Sequence, residues 1–347
     1  MPKIGVEFVV TRSDIPLRSK LEAVADSPAT VSFQGDAATK MTLSGTFLPP
    51  AEEINILTDH IRPALLIDGR RLPMGEYLMT TMPVDRSGDY REISATCYDL
   101  SYLCRLRKVE TRPFWPAGTR YSDIFRQILI GCGLYKLRIT ESAEVLATDR
   151  EDWEPGTEWL DVLNDLSAEV NYRSLYIDME GRAVMEPYAP PRAARVRHRY
   201  RVDGKSILEP EMTIQEDLFD VPNVFIALCE NPDYDTPLRA EAVNTDLTDP
   251  ASVPNRGRVP QVETVDNIAG QEALQAYVDN QRMRSRIGQR TLDFAVGFTA
   301  QDAPRQPYDV TELTLPDAHY LLEETAWTAT LGHTGGWQVT GSEVVYR

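Results

Sequence analysis

The stretch Trp159–Tyr188, WLDVLNDLSAEVNYRSLYIDMEGRAVMEPY, changes its hydrophobic period in mid-course. Trp159, Leu160, Leu163, Leu166 and Val170 recur at three- and four-residue steps, which puts them on one face of a helix. Thr157 is the expected N-cap, and Glu158 and Asp161 suit the positive end of the helix dipole. After Tyr172 the period drops to two. Leu175, Ile177 and Met179 alternate, and so do Ala183 and Met185 across a turn at Glu180–Gly181. The spacing predicts a helix followed by a β-hairpin. The same stretch holds Asp161, Asp165, Glu169, Asp178, Glu180 and Glu186. A glycoside hydrolase needs two carboxylates roughly 5 to 9.5 Å apart across a cleft. Asp161 and Asp165, however, fall opposite the apolar stripe, and Asp178 and Glu180 flank the turn. The acids are therefore expected to form the wet outer face of a structural unit.

Upstream, the chain reads as β. PATVSFQG alternates at Val31 and Phe33, KMTLSGTFLPP at Met41, Leu43 and Gly45, and YREISATCYDL at Ile93, Ala95 and Cys97. RPALLIDGRRLPMGEYLMTTMPV holds two strands around an Asp68–Gly69 turn. Short strands broken by turn residues predict an antiparallel barrel or sandwich. Near Val109 the character changes: PAGTRYSDIFRQILIGCGL is a helix with Ile124, Ile128 and Leu129 inward, a cap at Thr119 or Ser122, and Gly131 and Gly133 at its end.

Downstream of the opening stretch the chain returns to β. RVRHRYRVDG places Arg195, Arg197, Arg199 and Arg201 on one side of a strand and Val196, His198, Tyr200 and Val202 on the other. DLFDVPNVFIALCENP is a strand with Val224, Ile226 and Leu228 on one face, and the Pro-rich segment after it reads as a long loop or small lobe. AGQEALQAYVDNQRMRSRIG is a third helix, with Leu274, Tyr277 and Val278 apolar and Arg282, Arg284 and Arg286 at its C-terminal end. Four further strands close the sequence. The fold class is α+β, mainly β.

With 347 residues, 42% of them hydrophobic, the chain can bury cores for two or three domains. No apolar h-region opens the sequence, and no apolar run reaches the roughly 18 residues of a membrane span, so neither secretion nor membrane insertion is expected. Four scattered cysteines form no disulfide framework, which fits synthesis in a reducing cytosol. A net charge of −17 makes a poor general binder of phosphate backbones. That charge is uneven. Residues 141–169 hold ten acids against the single base Arg150, and residues 189–205 hold five arginines and a lysine against Asp203. Opposite charge in neighbouring stretches marks contact with a partner or a second copy, or two solvated faces that never meet.

No phosphate-binding loop, GxSxG elbow or HExxH motif is present. His60, His198, His319 and His333 show no metal-ligand spacing to a cysteine, and Cys97 and Cys104 read as small buried residues, so neither metal nor cofactor is expected. Trp115 in TRPFWPAGTRY offers a sugar platform or, as we favour, packing.

The ordered series SGTFLPP, HIRPALLIDGRRLPMGEY, ATCYDLSYLCRLRKV, AGTRYSDIFRQILIGCGL, the opening stretch and EDLFDVPNVFIALCE resembles the hub proteins of phage tail baseplates and related injection machines. The resemblance covers most of the chain, and its order is more specific than any one piece. It implies two antiparallel β-barrel domains that mimic tail-tube subunits, with small α/β domains around them. Three copies would form a ring of pseudo-sixfold symmetry that adapts a sixfold tube to a threefold spike or tip. Residues 1–107 would be the first tube-like domain and 108–190 the helix–hairpin unit. Residues 191–230 and 289–347 would form a discontinuous second tube-like domain, with 231–288 an insertion. The implied partners are the chain itself, a tail tube protein, a spike or tip protein, a tape-measure protein, and DNA passing through without specific binding. The implied place is the distal end of a virion tail assembled in the bacterial cytoplasm. Some relatives carry an appended OB domain, spike or hydrolase; here SEVVYR follows a strand directly, so those functions are expected on other subunits. Arg195, Arg197, Arg199, Arg201, Asp161 and Asp165 are the expected contact residues. Two rival readings are a carbohydrate-active enzyme using the surface carboxylates and a receptor-binding tail-tip module.

Overall fold

The computed structural model describes residues 2–17, 20–24, 26–48, 54–81, 83–87, 90–189, 191–203, 207–229, 237–265, 270–285, 287–299, 304–332 and 334–344. Arg286, His333, Lys205 and the final YR pair lie outside them.

Ten strands build the N-terminal part: β1 (Ile4–Arg12), β2 (Ile15–Pro16), β3 (Glu22–Ala23), β4 (Ala29–Gln34), β5 (Met41–Leu48), β6 (Asp59–Ile67), β7 (Arg70–Pro73), β8 (Tyr77–Thr81), β9 (Val84–Ser87) and β10 (Tyr90–Asp99). The alternation read from the sequence is the inward face, with Val31, Phe33, Met41, Leu43 and Cys97 fully buried. The β6–β7 turn puts Asp68 and Gly69 at φ 50° and 83°, the positive values a two-residue hairpin turn demands.

A unit with its own core follows: α1 (Tyr102–Leu106), α2 (Tyr121–Gly131), β11 (Leu137–Ile139), α3 (Trp159–Glu169), β12 (Tyr176–Ile177) and β13 (Ala183–Met185). The predicted helix and hairpin are α3 and β12–β13. The unit also holds β11, parallel to β13, which three residues of LRI are too few to announce. Two details differ. Arg120 and Glu158 stand at the N-caps, and neither helix has a side-chain cap. Val162 joins Leu160, Leu163 and Leu166 in the core, while Trp159 and Val170 pack at its rim.

The chain then gives β14 (Val196–Arg201) and β15 (Leu208–Glu216), and a second α/β unit: β16 (Val224–Cys229), β17 (Leu238–Val243), α4 (Val253–Arg256), β18 (Pro260–Thr264) and α5 (Gln271–Arg284). Here β16 pairs with β17 and β18 in a separate sheet, so the strand read with the second β domain belongs with the supposed insertion. Its buried face is Phe225, Ala227 and Cys229 against Leu274 and Val278, rather than Val224, Ile226 and Leu228 alone. The Pro-rich segment 231–261, read as a long loop or small lobe, supplies β17, α4 and the start of β18. Helix α5 selects the buried face; the strand's own sequence is apolar on both.

The last strands are β19 (Ile287–Gly297), β20 (Val310–Thr314), β21 (His319–Leu331) and β22 (Gly336–Val344). They join the N-terminal strands in one 16-stranded sheet rather than a separate one. At its N-terminal end Leu21, beside β3, bridges Phe8 of β1 while β3 pairs with β5, so the series β1-β6-β8-β10-β5 returns to β1. Within the sheet one pattern occurs twice. In chain order β4, β5, β6, β8–β9 and β10 correspond to β15, β19, β20, β21 and β22. The first set lies β4-β5-β10-β8/β9, with β6 on β8; the second lies β15-β19-β22-β21, with β20 on β21. The sets meet where Ala326–Leu331 of β21 pair antiparallel with β4. Phe33, Trp327 and Trp337 pack across that junction, with centroids 5.7 and 5.2 Å apart, so one core serves both sets.

Candidate functional site: clamps and charged faces

The six expected contact residues fall into two separate groups. Arg197, Arg199 and Arg201 point outward from β14, opposite buried His198 and Tyr200, as strand alternation requires. Arg195 is not on that strand; it ends a one-turn 3-10 helix and donates to the Ala189 carbonyl at 2.7 Å. The turn Ala193–Arg195 comes before the alternation begins. Arg199 donates to Glu312 at 2.8 Å, and Arg197 lies 3.6 Å from Asp309. Asp161 and Asp165 stand exposed on α3. Asp165 accepts from Trp153 Nε1 at 2.9 Å. Partial burial, then the charges of Glu158 and Asp165, push the Asp161 carboxyl above its ordinary value. No ion pair joins the two groups among the described residues.

The acidic stretch 141–169 is largely spent within its own unit. Glu141 pairs with Arg126, Glu154 with Arg112, and Glu158 with Arg105 and Lys108. Glu169 is no surface acid: both its oxygens accept from Arg150 at 2.8 and 2.7 Å, and one also accepts from the Tyr121 hydroxyl. Burial pushes Glu169 up, against the opposing pull of Arg150. Asp178, read as part of the outer face, is fully buried. It accepts from the backbone of Glu180 and Arg182 and from Arg182 Nε, and so ties the hairpin turn. These carboxylates are engaged acceptors. Trp115 packs edge-on against Trp153, with centroids 5.8 Å apart, as favoured from sequence. All four cysteines are free and buried, no cluster of His, Cys, Asp and Glu among the described residues could hold a metal, and no helix among them is long and apolar enough to cross a membrane.

Two polar clamps that sequence reasoning missed fix the helix–hairpin unit to the large sheet. In one, Arg173 donates to Glu323 at 2.7 Å, both side chains under 10% exposed. The guanidinium lies 4.7 and 4.3 Å from the Tyr188 and Tyr308 ring centroids. In the other, Glu76 of the sheet accepts from Arg62 at 2.8 Å and from Lys136 of the unit at 3.2 Å, and shares a hydrogen bond with His60 at 2.7 Å. Lys136 also reaches Asp14 at 2.9 Å. Burial would raise the Glu76 carboxyl, but the hydrogen bonds of His60 and Arg62 and the cations around it hold it at about 2. Gly181, at φ 78°, is where the hairpin turn lies on Glu76: an added Cβ would sit 2.6 Å from Oε2. Met179 completes the contact, its N–H donating to Gln306 and its carbonyl accepting from Gly75. Sequence offered one signal here, Gly181 in the hairpin turn.

A cleft of about 310 Å³ separates this unit from α5, lined by Ala147, Ala168, Glu169, Ala273, Ala276 and Tyr277 among others. The arrangement is that of a stiff framework with charged outer faces.

No family model matches the sequence, and no curated protein does. Solved structures do match along the whole chain. A tail protein from Neisseria meningitidis aligns over 98% of this chain and 97% of its own, at 15% identity and a TM-score of 0.69. The 43 kDa tail protein of prophage MuSo2 from Shewanella oneidensis aligns over 96% and 98%, at 11% and 0.66. An Escherichia coli component of the type VI secretion system, described as structurally similar to T4 tail proteins gp27 and gp5, aligns over 97% of this chain and 77% of its own, at 11% and 0.54. The identities are low and the coverage nearly complete: the chain has the fold of phage tail proteins and of this secretion-system relative.

Proposed function

We propose that the chain is a structural, non-enzymatic hub protein at the distal end of a phage tail or phage-derived injection machine. Three copies form a ring that joins a sixfold tube to a threefold spike or tip. The observation that carries this reading is the duplicated five-strand set: one chain holds two like elements, so three chains present six. The partners are then further copies of the chain, the tube protein on one side and a spike or tip protein on the other. The tape-measure protein and DNA pass through. A net charge of −17 suits a passage that does not grip phosphates. The Arg197/Arg199/Arg201 face and the Asp161/Asp165 face, with Arg195 beside the first, serve as docking surfaces. Assembly takes place in the host cytoplasm. Light scattering of the full chain, alone and with tube or spike protein, is the test, together with electron microscopy of particles labelled on this protein. A trimer mass and label at one tail end are expected. A monomer under every condition, with unlabelled particles, overturns the reading.

A further inference from the structure

Two cysteines of the helix–hairpin unit lie side by side. Cys104 is in α1, and Cys132 caps the C-terminus of α2. Both are free and buried. Arg107, the C-cap of α1, stands three residues beyond Cys104 and so falls on its side of the turn. Its guanidinium donates to the carbonyl of Gly131 and lies 3.2 Å from where a Cβ on Gly133 would stand. Gly131 and Gly133 flank Cys132. The end of α1 is thus laid on the end of α2, and the two thiols hydrogen-bond to each other. Cys97 and Cys229 belong to other cores.

The surroundings of the pair suit thiol chemistry. Donation from Cys104 holds the Cys132 thiol below its ordinary value, against burial, and Arg107 adds to the effect. The same bond, with burial, pushes the Cys104 thiol up. Cys132 is therefore the thiol that ionises first, and the thiolate is the form that attacks a disulfide. It also lies just beneath the surface. Gly131 is exposed and Ile130 is 45% exposed, and a helix end opens more readily than its middle.

The two cysteines are anchored on opposite sides of a boundary. The Cys104 N–H donates to the Ser101 carbonyl at 2.9 Å. Ser101 donates its N–H and hydroxyl to buried Asp99, the last residue of β10, which also accepts from the Met41 N–H of β5 at 2.7 Å. Cys104 is thus tied to the large sheet. The Cys132 N–H donates to Ile128 at 2.8 Å and continues α2 in the core of the unit.

We propose that Cys104 and Cys132 are a dithiol that closes to a disulfide when the folded chain meets a low-molecular-weight disulfide in an oxidising medium, and that this bond fastens the helix–hairpin unit to the large sheet. The Cys132 thiolate attacks one sulfur of the small disulfide and expels a small thiolate, leaving a mixed disulfide. Cys104 then gives up its proton, attacks the Cys132 sulfur and expels the second small thiolate. The protein pair loses two electrons and two protons, and the small disulfide gains them as two thiols. The timing rests on the hub reading above: thiols during assembly in a reducing cytoplasm, a disulfide after release. The pair itself is independent of that reading.

The experiment incubates the folded full chain with oxidised glutathione, quenches with an alkylating agent, and reads intact mass, non-reducing peptide maps and denaturation midpoints. A mass lower by two hydrogens, a linked Cys104–Cys132 peptide pair and a higher midpoint that a reductant reverses are expected, with Cys97 and Cys229 still free. In Cys104→Ala the treatment should leave glutathione on Cys132 with no rise in midpoint, and in Cys132→Ala it should leave the remaining thiols free. Four free thiols after treatment of the folded chain, glutathione retained on Cys132 of the unsubstituted chain, or a link that forms only in denaturant overturns the proposal, because the sulfurs then lie outside bonding geometry. A link that leaves the midpoint unchanged or lower overturns the fastening role. Alkylation in intact producing cells and in released particles tests the timing. A disulfide already present in the cells, or absent from the particles, overturns it. Particles without the chain overturn the hub reading and leave the pair standing.

Discussion

The two small α/β units are built alike and held differently. Each has a three-stranded sheet whose central strand has one parallel and one antiparallel neighbour: β13 between β11 and β12, and β16 between β18 and β17. Each packs helix against that sheet. The first buries a large core, including Trp115, Trp153 and Phe125, and reaches the main sheet through Arg173 and Lys136. The apolar cluster under α5 in the second holds seven buried residues among those described, four of them Ala or Cys. The ion pairs of the second unit among the described residues, Arg239–Glu241, Arg258–Glu241 and Arg282–Asp279, stay within it. What differs is the set of buried polar contacts across the boundary with the main sheet, and not the secondary structure on either side of it. The first unit is part of the framework.

The largest expected effect lies at the Arg173–Glu323 clamp. Removing one partner of a buried pair leaves the other charge uncompensated and typically costs about 3–5 kcal/mol. Glu323→Ala should therefore lower the unfolding midpoint of the framework sharply. Replacing both partners with apolar residues, Arg173→Met with Glu323→Leu, should recover most of that loss, because no charge is then stranded. Chemical denaturation of the three chains is the measurement. Equal losses for the single and double variants would mean that packing against Tyr188 and Tyr308, and not charge, holds the boundary.

Next is a matched pair of core truncations. Leu163 in α3 and Leu274 in α5 are both fully buried, and each change to Ala is expected to cost about 2–5 kcal/mol locally. The cost should spread differently. Leu163→Ala should lower the protection of amides across the first unit and the large sheet together. Leu274→Ala should lower it only in residues 223–285, as an isolated unit opens below the global transition. Amide hydrogen exchange resolved by peptide decides the matter. A Leu274→Ala chain that loses protection throughout would show the two units to be equally integrated.

The same contrast explains what the sequence disclosed. Periodicity is a local signal, so α2, α3, α5, the Asp68–Gly69 hairpin and the alternating strands β4, β5 and β10 were legible from one face's worth of residues. The resemblance was legible because it rests on the order of such elements. The clamps were not, since Arg173 and Glu323 are 150 residues apart and neither carries a local pattern. The burial of Asp178 and Glu169 was hidden for the same reason: an acid beside a turn or at a helix end looks solvated until its cation partner is placed. Which face of β16 meets its core was not legible, because both faces are apolar and only α5 selects between them. Arg195 was misplaced by one residue, at an element boundary where strand alternation gives no warning.

The smallest expected effect is a pH dependence that should separate the two units again. The cations around Glu76, and Lys136 and Arg62 at Asp14, hold both carboxyls at about 2, against ordinary values of 4.5 and 3.8. A depressed folded-state value means that the contribution to stability is complete above the ordinary value and is lost as pH falls toward about 2. Asp14 is largely exposed, so its share is screened by solvent and salt, and the buried Glu76 should carry most of the effect. Glu241 in the second unit is also lowered, first by Arg258 and then by Arg239, but both arginines are half exposed, so solvent screens the pairs and they should add nothing measurable. Denaturation midpoints taken at intervals below pH 4.5 should fall for the unsubstituted chain and fall less steeply for Glu76→Gln, while Glu241→Gln should follow the unsubstituted curve. Parallel curves for all three chains would mean that the Glu76 clamp makes no net contribution in the folded state, leaving Arg173–Glu323 as the buried ion pair that distinguishes the first unit from the second among the described residues.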